Sequence, residues 1–265
     1  MSAEPEEQTM TFWEHLEELR SRIIKMALAF LVGAIVAWIY RVQVLSWLTQ
    51  PFVEAWNTGA LGEKASLHFS APASLFFAYV KLAVMAGLIL ALPVMLYQFW
   101  AFIAPGLYSN ERRLAIPFVL SSTTLFTCGA LFGWKIAFPL AFRYLLDFAG
   151  PVGTEGFEVK PTVMVDDYLD FVSRMLIAFG ATFQLPVLIF FLSIAGIVNY
   201  RQLIRFGRYF IVIAFVLAAV LTPPDITSQV LLAAPLLVLY AVSIGISYVI
   251  TRKRVQELDK RAAKD

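Results

Sequence analysis

The chain has 265 residues, a formal net charge of +2, and 60% hydrophobic residues against 15% charged, with a mean hydropathy of +0.73. Soluble domains run near 45–50% apolar and about 25% charged, so a soluble globular enzyme is excluded and an integral membrane protein is implied. The single cysteine, Cys128, excludes an intrachain disulfide; within an apolar run it reads as a small buried hydrophobe.

Residues 1–11 are acidic and polar, so no cleavable leader is expected. Thr11 is placed to cap a helix, with Glu14 completing a capping box. Phe12, Trp13, Leu16, Leu19 and Ile23 then recur at helical spacing, which predicts an amphipathic helix lying along the membrane surface before it turns in. Charge-free runs follow at 26–40, 82–110, 114–134, 175–200, 209–224 and 226–251. A spanning helix needs about 20 mostly apolar residues, which predicts six spans, at 23–40, 75–104, 114–142, 168–195, 209–222 and 226–250.

Between the first two spans, residues 44–56 form an amphipathic stretch that Pro51 is expected to break, followed by a turn at 59–62. The third helix is expected to project beyond the bilayer, turning at Gly150-Pro151 and Gly153. The last two spans are joined by Thr222-Pro223-Pro224-Asp225, a tight turn in which Thr222 or Asp225 can cap the next helix. The fifth run holds sixteen uncharged residues, about 24 Å, which predicts a short hairpin able to thin the bilayer locally. Pro93, Pro139, Pro186 and Pro235 bend or interrupt helices, so a curved, concave all-α bundle is expected. Residues 252–265 form a basic tail.

Six spans leave both termini on one side. Fourteen of the 21 basic residues fall on that side and seven on the other, which predicts cytoplasmic termini. No Gly-x-Ser-x-Gly elbow, His-Glu-x-x-His pair or Walker loop occurs, and His15 and His68 fall on opposite sides. No catalytic residue, metal site or cofactor is therefore expected, which disfavours a membrane-embedded hydrolase. A small-solute transporter would show charges near the midplane, where only Gln184 is found.

Polar residues in the spans have structural readings. Gln184 can bind a neighbouring helix or the carbonyl freed by Pro186, or else a passing substrate or a partner helix across the hairpin of spans five and six. Lys81 and Arg174 read as interfacial anchors, and Asp166, Asp167 and Asp170 as caps for the fourth helix. The uncharged run 82–110 ends in Glu111-Arg112-Arg113. Acidic residues contribute little to topology, so Glu111, like Glu18 before the first span, invites a ligand; the alternative for Glu111 is a salt bridge with Arg112 or Arg113, or the amino end of the third helix. Two carboxylates facing one side can receive two guanidinium groups.

His15-Leu16-Glu17-Glu18-Leu19-Arg20, the run 92–108 with Glu111-Arg112-Arg113, Phe138-Pro139-Leu140-Ala141-Phe142, and Leu221-Thr222-Pro223-Pro224-Asp225 with Gln229 resemble TatC, the large subunit of the twin-arginine translocase. The resemblance covers about 12–248. It implies a non-enzymatic receptor in the bacterial inner membrane for twin-arginine signal peptides of folded cargo, with transport driven by the proton gradient. It also implies partnership with single-span TatA- and TatB-type subunits, self-association and no nucleic-acid partner. By resemblance the signal-peptide site comprises Glu18, Glu111, Leu16, Arg20, Phe102 and Pro93, and the intramembrane polar set facing partner helices comprises Gln184, Thr222, Asp225 and Gln229. The chain departs from the common pattern at Gln184 and at Ala241, where many relatives carry glutamate, so an ionisable carboxylate is not required at either place.

Overall fold

A computed structural model of the chain describes residues 12–58, 64–103, 115–151, 158–222 and 225–262. Thr11, Glu111 and the turns at 59–62, Gly153 and Pro223-Pro224, on which expectations rested, lie outside them. The described helices are α1 (Phe12–Ile39), α2 (Arg41–Thr58), α3 (Pro72–Ile103), α4 (Ala115–Phe132), α5 (Phe138–Leu146), α6 (Val165–Thr182), α7 (Leu185–Ile194), α8 (Tyr200–Leu221) and α9 (Ile226–Ala262). Two short strands, β1 (Gly150–Pro151) and β2 (Glu158–Val159), pair antiparallel between α5 and α6.

Six stretches of the described residues are long and apolar enough to cross a membrane: Trp13–Ile39, Pro72–Phe102, Pro117–Leu146, Val165–Ile194, Tyr200–Leu221 and Ile226–Glu257. Their number matches the sequence reading, but several extend further. The first is a single helix from Phe12 to Ile39, not a surface helix that turns into a span; no proline interrupts its hydrogen-bond ladder. The fifth is 22 residues long, about 33 Å, so it is not short. Asn199 and Gln202 close a reciprocal capping box that starts α8, nine positions before the uncharged run begins at Tyr209.

Prolines shape four of the spans. Pro93 and Pro235 lie inside α3 and α9. Pro139 follows a π-helical turn, Gly133–Ala137, that joins α4 to α5, and Pro186 opens α7 after a break at Phe183-Gln184. Pro51 does not break α2, contrary to expectation: it sits buried within one helix. A proline at this position removes the hydrogen bond to the carbonyl of Trp47, four residues earlier. The indole Nε1 of Trp134 donates to that carbonyl at 3.3 Å, with the two tryptophan rings stacked 4.4 Å apart.

The antiparallel pair α1–α3 is packed backbone to backbone. A Cβ on Gly33 would lie 2.6 Å from the carbonyl oxygen of Gly87, and one on Gly87 would lie 2.5 Å from the amide nitrogen of Ala34. Small residues that let backbones meet are a main source of helix association in lipid, where burial of apolar surface supplies no net drive. Elsewhere α1 displays Leu28, Leu31, Val32, Ile35 and Ile39, a surface suited to lipid or to another apolar helix.

The main core lies at the end of the bundle away from the termini. There Phe52 of α2, Phe138 and Phe142 of α5, and Tyr168, Leu169 and Val172 of α6 are buried together. The Tyr168 hydroxyl donates to the Leu48 carbonyl at 2.8 Å, tying α2 to α6 as a cap. His68 adds a clasp by exchanging backbone bonds with Val163 and Val165 at 2.9 and 2.8 Å. A second core joins α7, α8 and α9 through Ile189, Leu203, Phe210 and Tyr240. At the terminus-bearing end, α1 and α3 thus stand apart from α7–α9, linked through Trp100, Phe118 and Phe191.

Gly87→Val forces two added methyl groups and a Cβ against main-chain atoms that cannot rotate away. We expect a loss of about 1–3 kcal/mol, the range for overpacking, read as a lower unfolding midpoint in detergent. A midpoint equal to that of the unmodified protein would contradict the close approach.

Candidate recognition site at the terminus-bearing end

Glu18 and Arg22 are one helical turn apart on α1, the spacing at which side chains on a helix meet. Nε of Arg22 donates to Oε1 of Glu18 at 3.0 Å, and Nη2 donates to the same oxygen. The remaining Nη1 donates at 3.3 Å to Oε1 of Gln98 on α3. This bond has the register of the glycine pair: Arg22 lies eleven positions before Gly33, and Gln98 eleven positions after Gly87. The crossing that brings the glycines together therefore also delivers Gln98 to Arg22.

The ion pair is largely shielded, with Glu18 and Arg22 side chains 21% and 17% exposed. Arg22 uses only one carboxylate oxygen. The other, Oε2 of Glu18, is buried without a hydrogen-bond partner among the described residues; Nδ1 of His15 lies 3.9 Å from it. The His15 ring stacks on Phe102 of α3 at 4.5 Å. Trp100, also on α3, likewise has a buried indole nitrogen without a partner among those residues. A shielded carboxylate oxygen left unsatisfied carries a desolvation cost that an incoming cation can relieve.

Of the site residues expected from sequence, Glu18 and Phe102 both neighbour His15. Leu16 and Arg20 are exposed on another face of α1: two residues on a helix are separated by about 200°, so neither faces Glu18. Pro93 is an exposed position inside α3, five residues before Gln98. Glu111 lies outside the described residues. Sequence reasoning missed His15, Arg22 and Gln98 as members. The Glu18–Arg22 spacing was a usable signal, as was a glutamine within a long uncharged run; their meeting across two helices was not readable from spacing alone.

The intramembrane polar residues are largely occupied by their own chain. Gln184 Nε2 donates to the carbonyl of Ser122 on α4 at 2.8 Å; its amide is directed to the third span rather than to the hairpin of spans five and six. The Thr222 hydroxyl bonds back to Ala218 at 2.8 Å. Asp225 accepts the amide of Ser228 at 2.7 Å and so caps α9, while Gln229 Nε2 donates to Phe215 of α8 at 3.0 Å. At the far end Lys81 pairs with Asp170 at 2.8 Å. Thus Lys81 is more than an anchor and Asp170 is not a cap; Met164 precedes α6 without a side-chain capping bond, and Asp166 and Asp167 stand in its first turn. Cys128 is exposed on α4, not buried, since the face it occupies points away from the packed neighbours.

Among the described residues no group of three or more His, Cys, Asp and Glu is placed to hold a metal ion. Fold and site together define a multi-pass helical membrane protein with a half-satisfied carboxylate at one end. The family model described as Sec-independent protein translocase protein (TatC) matches residues 14–235. A TatC from Aquifex aeolicus is 40% identical over 251 residues, covering 95% of this chain and all of that protein. A TatC from Desulforapulum autotrophicum is 36% identical over 257 residues, covering 97% and 91%. A crystal structure of the twin-arginine translocase receptor TatC superposes with a TM-score of 0.77 at 40% identity, covering 90% of this chain and 100% of that one. The chain belongs to the TatC family, whose members are components of a protein translocase rather than enzymes.

Gln184→Leu removes one interhelical bond in the membrane, where such contacts average about 0.6 kcal/mol. We expect a stability loss of that order. A loss above about 3 kcal/mol in reversible unfolding would show that Gln184 serves more than the bond to Ser122.

Proposed function

We propose that this chain is the receptor subunit of a twin-arginine translocase in the bacterial cytoplasmic membrane, with both termini in the cytoplasm. Its terminus-bearing end receives the paired arginines of signal peptides on folded cargo, and Glu18 and Glu111 each take one guanidinium. Single-span TatA- and TatB-type subunits and further copies of the chain assemble with it, and the proton gradient drives transport. The family and the solved relative support the receptor role. The observation that carries the site is the shielded Glu18 carboxylate, with Oε2 unpartnered among the described residues.

A guanidinium fits this position because it is charged at every physiological pH and offers parallel N–H donors matched to a carboxylate. His15 and Phe102 supply a stacked wall beside it, against which a planar cation can lie. The exposed face of α1 and the exposed apolar side of α8, including Val212, Val216 and Val220, offer separate surfaces for single-span helices.

Loss of one charge-assisted contact costs about 1.5–3 kcal/mol, roughly 10- to 150-fold in affinity. Glu18→Ala and Glu111→Ala in the purified full-length protein are each expected to weaken binding of a twin-arginine peptide by that amount. In a double-mutant cycle the two losses are expected to be non-additive, since both residues act on one ligand. Unchanged affinity in both single variants would refute the proposed site, and strict additivity would place the carboxylates on separate sites.

A further inference from the structure

We infer that Arg22 is an internal competitor for Glu18 and sets the preference of the site for arginine over lysine; this rests on the reading that Glu18 receives a guanidinium. Arg22 holds Oε1 of Glu18 through two donors and reaches Gln98 with the third nitrogen, while Oε2 remains buried and unpartnered among the described residues. The carboxylate is thus half taken by a side chain with the same chemistry as the proposed ligand.

The arrangement treats two cations differently. An incoming lysine can make its contact at Oε2 but cannot span both oxygens in a planar fork. Arg22 then stays in place, and two positive charges share one shielded carboxylate. An incoming arginine can take both oxygens, and the bonds it makes replace those that Arg22 gives up, donor for donor. Arg22 does not leave empty-handed, because Gln98 already accepts from its Nη1 and remains available after Glu18 is released. Gln98 is itself buried, so it is a fixed acceptor rather than a mobile surface group.

Arg22 therefore raises the threshold for every ligand, and only a guanidinium recovers what displacement costs. Removing Arg22 leaves an open carboxylate that either cation can reach. Removing Gln98 has the opposite sign for the natural ligand, since a displaced Arg22 then loses its acceptor. A purely structural role for the ion pair predicts losses in every case and no change in the ratio of arginine to lysine binding.

The test uses the purified full-length protein in detergent and two labelled peptides that differ only in an Arg-Arg or Lys-Lys pair, with affinity read by fluorescence anisotropy. Arg22→Gln is expected to tighten the Arg-Arg peptide severalfold and to narrow the Arg-Arg over Lys-Lys preference about tenfold. Arg22→Lys, which keeps the charge and guards against misfolding, is expected to fall between. Gln98→Leu is expected to weaken the Arg-Arg peptide. An unchanged preference ratio in both Arg22 variants, with Glu18→Ala still weakening binding about tenfold or more, would overturn the competitor role and leave the receptor reading standing. Arg-Arg binding unaffected by Glu18→Ala would instead remove the Glu18 site, and this inference with it.

Discussion

The contact between Gly33 and Gly87 governs the position of everything at the terminus-bearing end. With added Cβ atoms meeting backbone at 2.5–2.6 Å, the two helices have one register in which they can lie this close. That register places Gln98 beside Arg22 and Phe102 beside His15. The site is thus built not by a loop wrapped round a ligand but by two stiff helices fixed some sixteen ångströms away, about eleven residues at 1.5 Å each. Rigid elements hold charged groups more accurately than loops do.

The two ends of the molecule answer different demands. Far from the termini, aromatic side chains from α2, α5 and α6 interlock, and indole and phenol donors satisfy the carbonyls of Trp47 and Leu48. Those bonds matter because an unpaired backbone group in an apolar setting is costly. At the other end the helices separate into α1–α3 and α7–α9, and Glu18 Oε2 and Trp100 Nε1 are buried without partners among the described residues, as are Asp225 Oδ2 and Ser228 Oγ at the far turn between α8 and α9. One end is closed by aromatic packing, and the other carries the shielded Glu18 carboxylate on two helices.

Much of this was legible in the sequence, and the failures have physical causes. Six spans followed from uncharged runs, and the cap of α9 was narrowed to Thr222 or Asp225, of which Asp225 takes the role. Pro51 misled because the missing bond to the Trp47 carbonyl is replaced by Trp134, 87 positions from Trp47, which local pattern cannot reveal. Asp170 misled because capping and ion pairing use the same side chain, and only the tertiary approach of Lys81 decides between them. The fifth span was underestimated because arginines were read as ends, whereas a helix can continue through charged residues whose stems lie along it. In the recognition site, the residue types that invite a ligand were visible, but the pairing of Arg22 with Gln98 depends on an interhelical register set by two glycines.

The central claim is that a twin-arginine ligand docks at the α1–α3 end through Glu18. The most direct measurement is photo-crosslinking in native membranes from a probe at Ser21, an exposed position one turn from Glu18, and from a control probe at Phe69, exposed at the far end. A twin-arginine peptide at subsaturating concentration should crosslink from position 21 and not from 69, and the crosslink at 21 should fall about tenfold or more when Glu18→Ala is added. Equal labelling from both positions, or undiminished labelling at 21 with Glu18→Ala, would contradict the account.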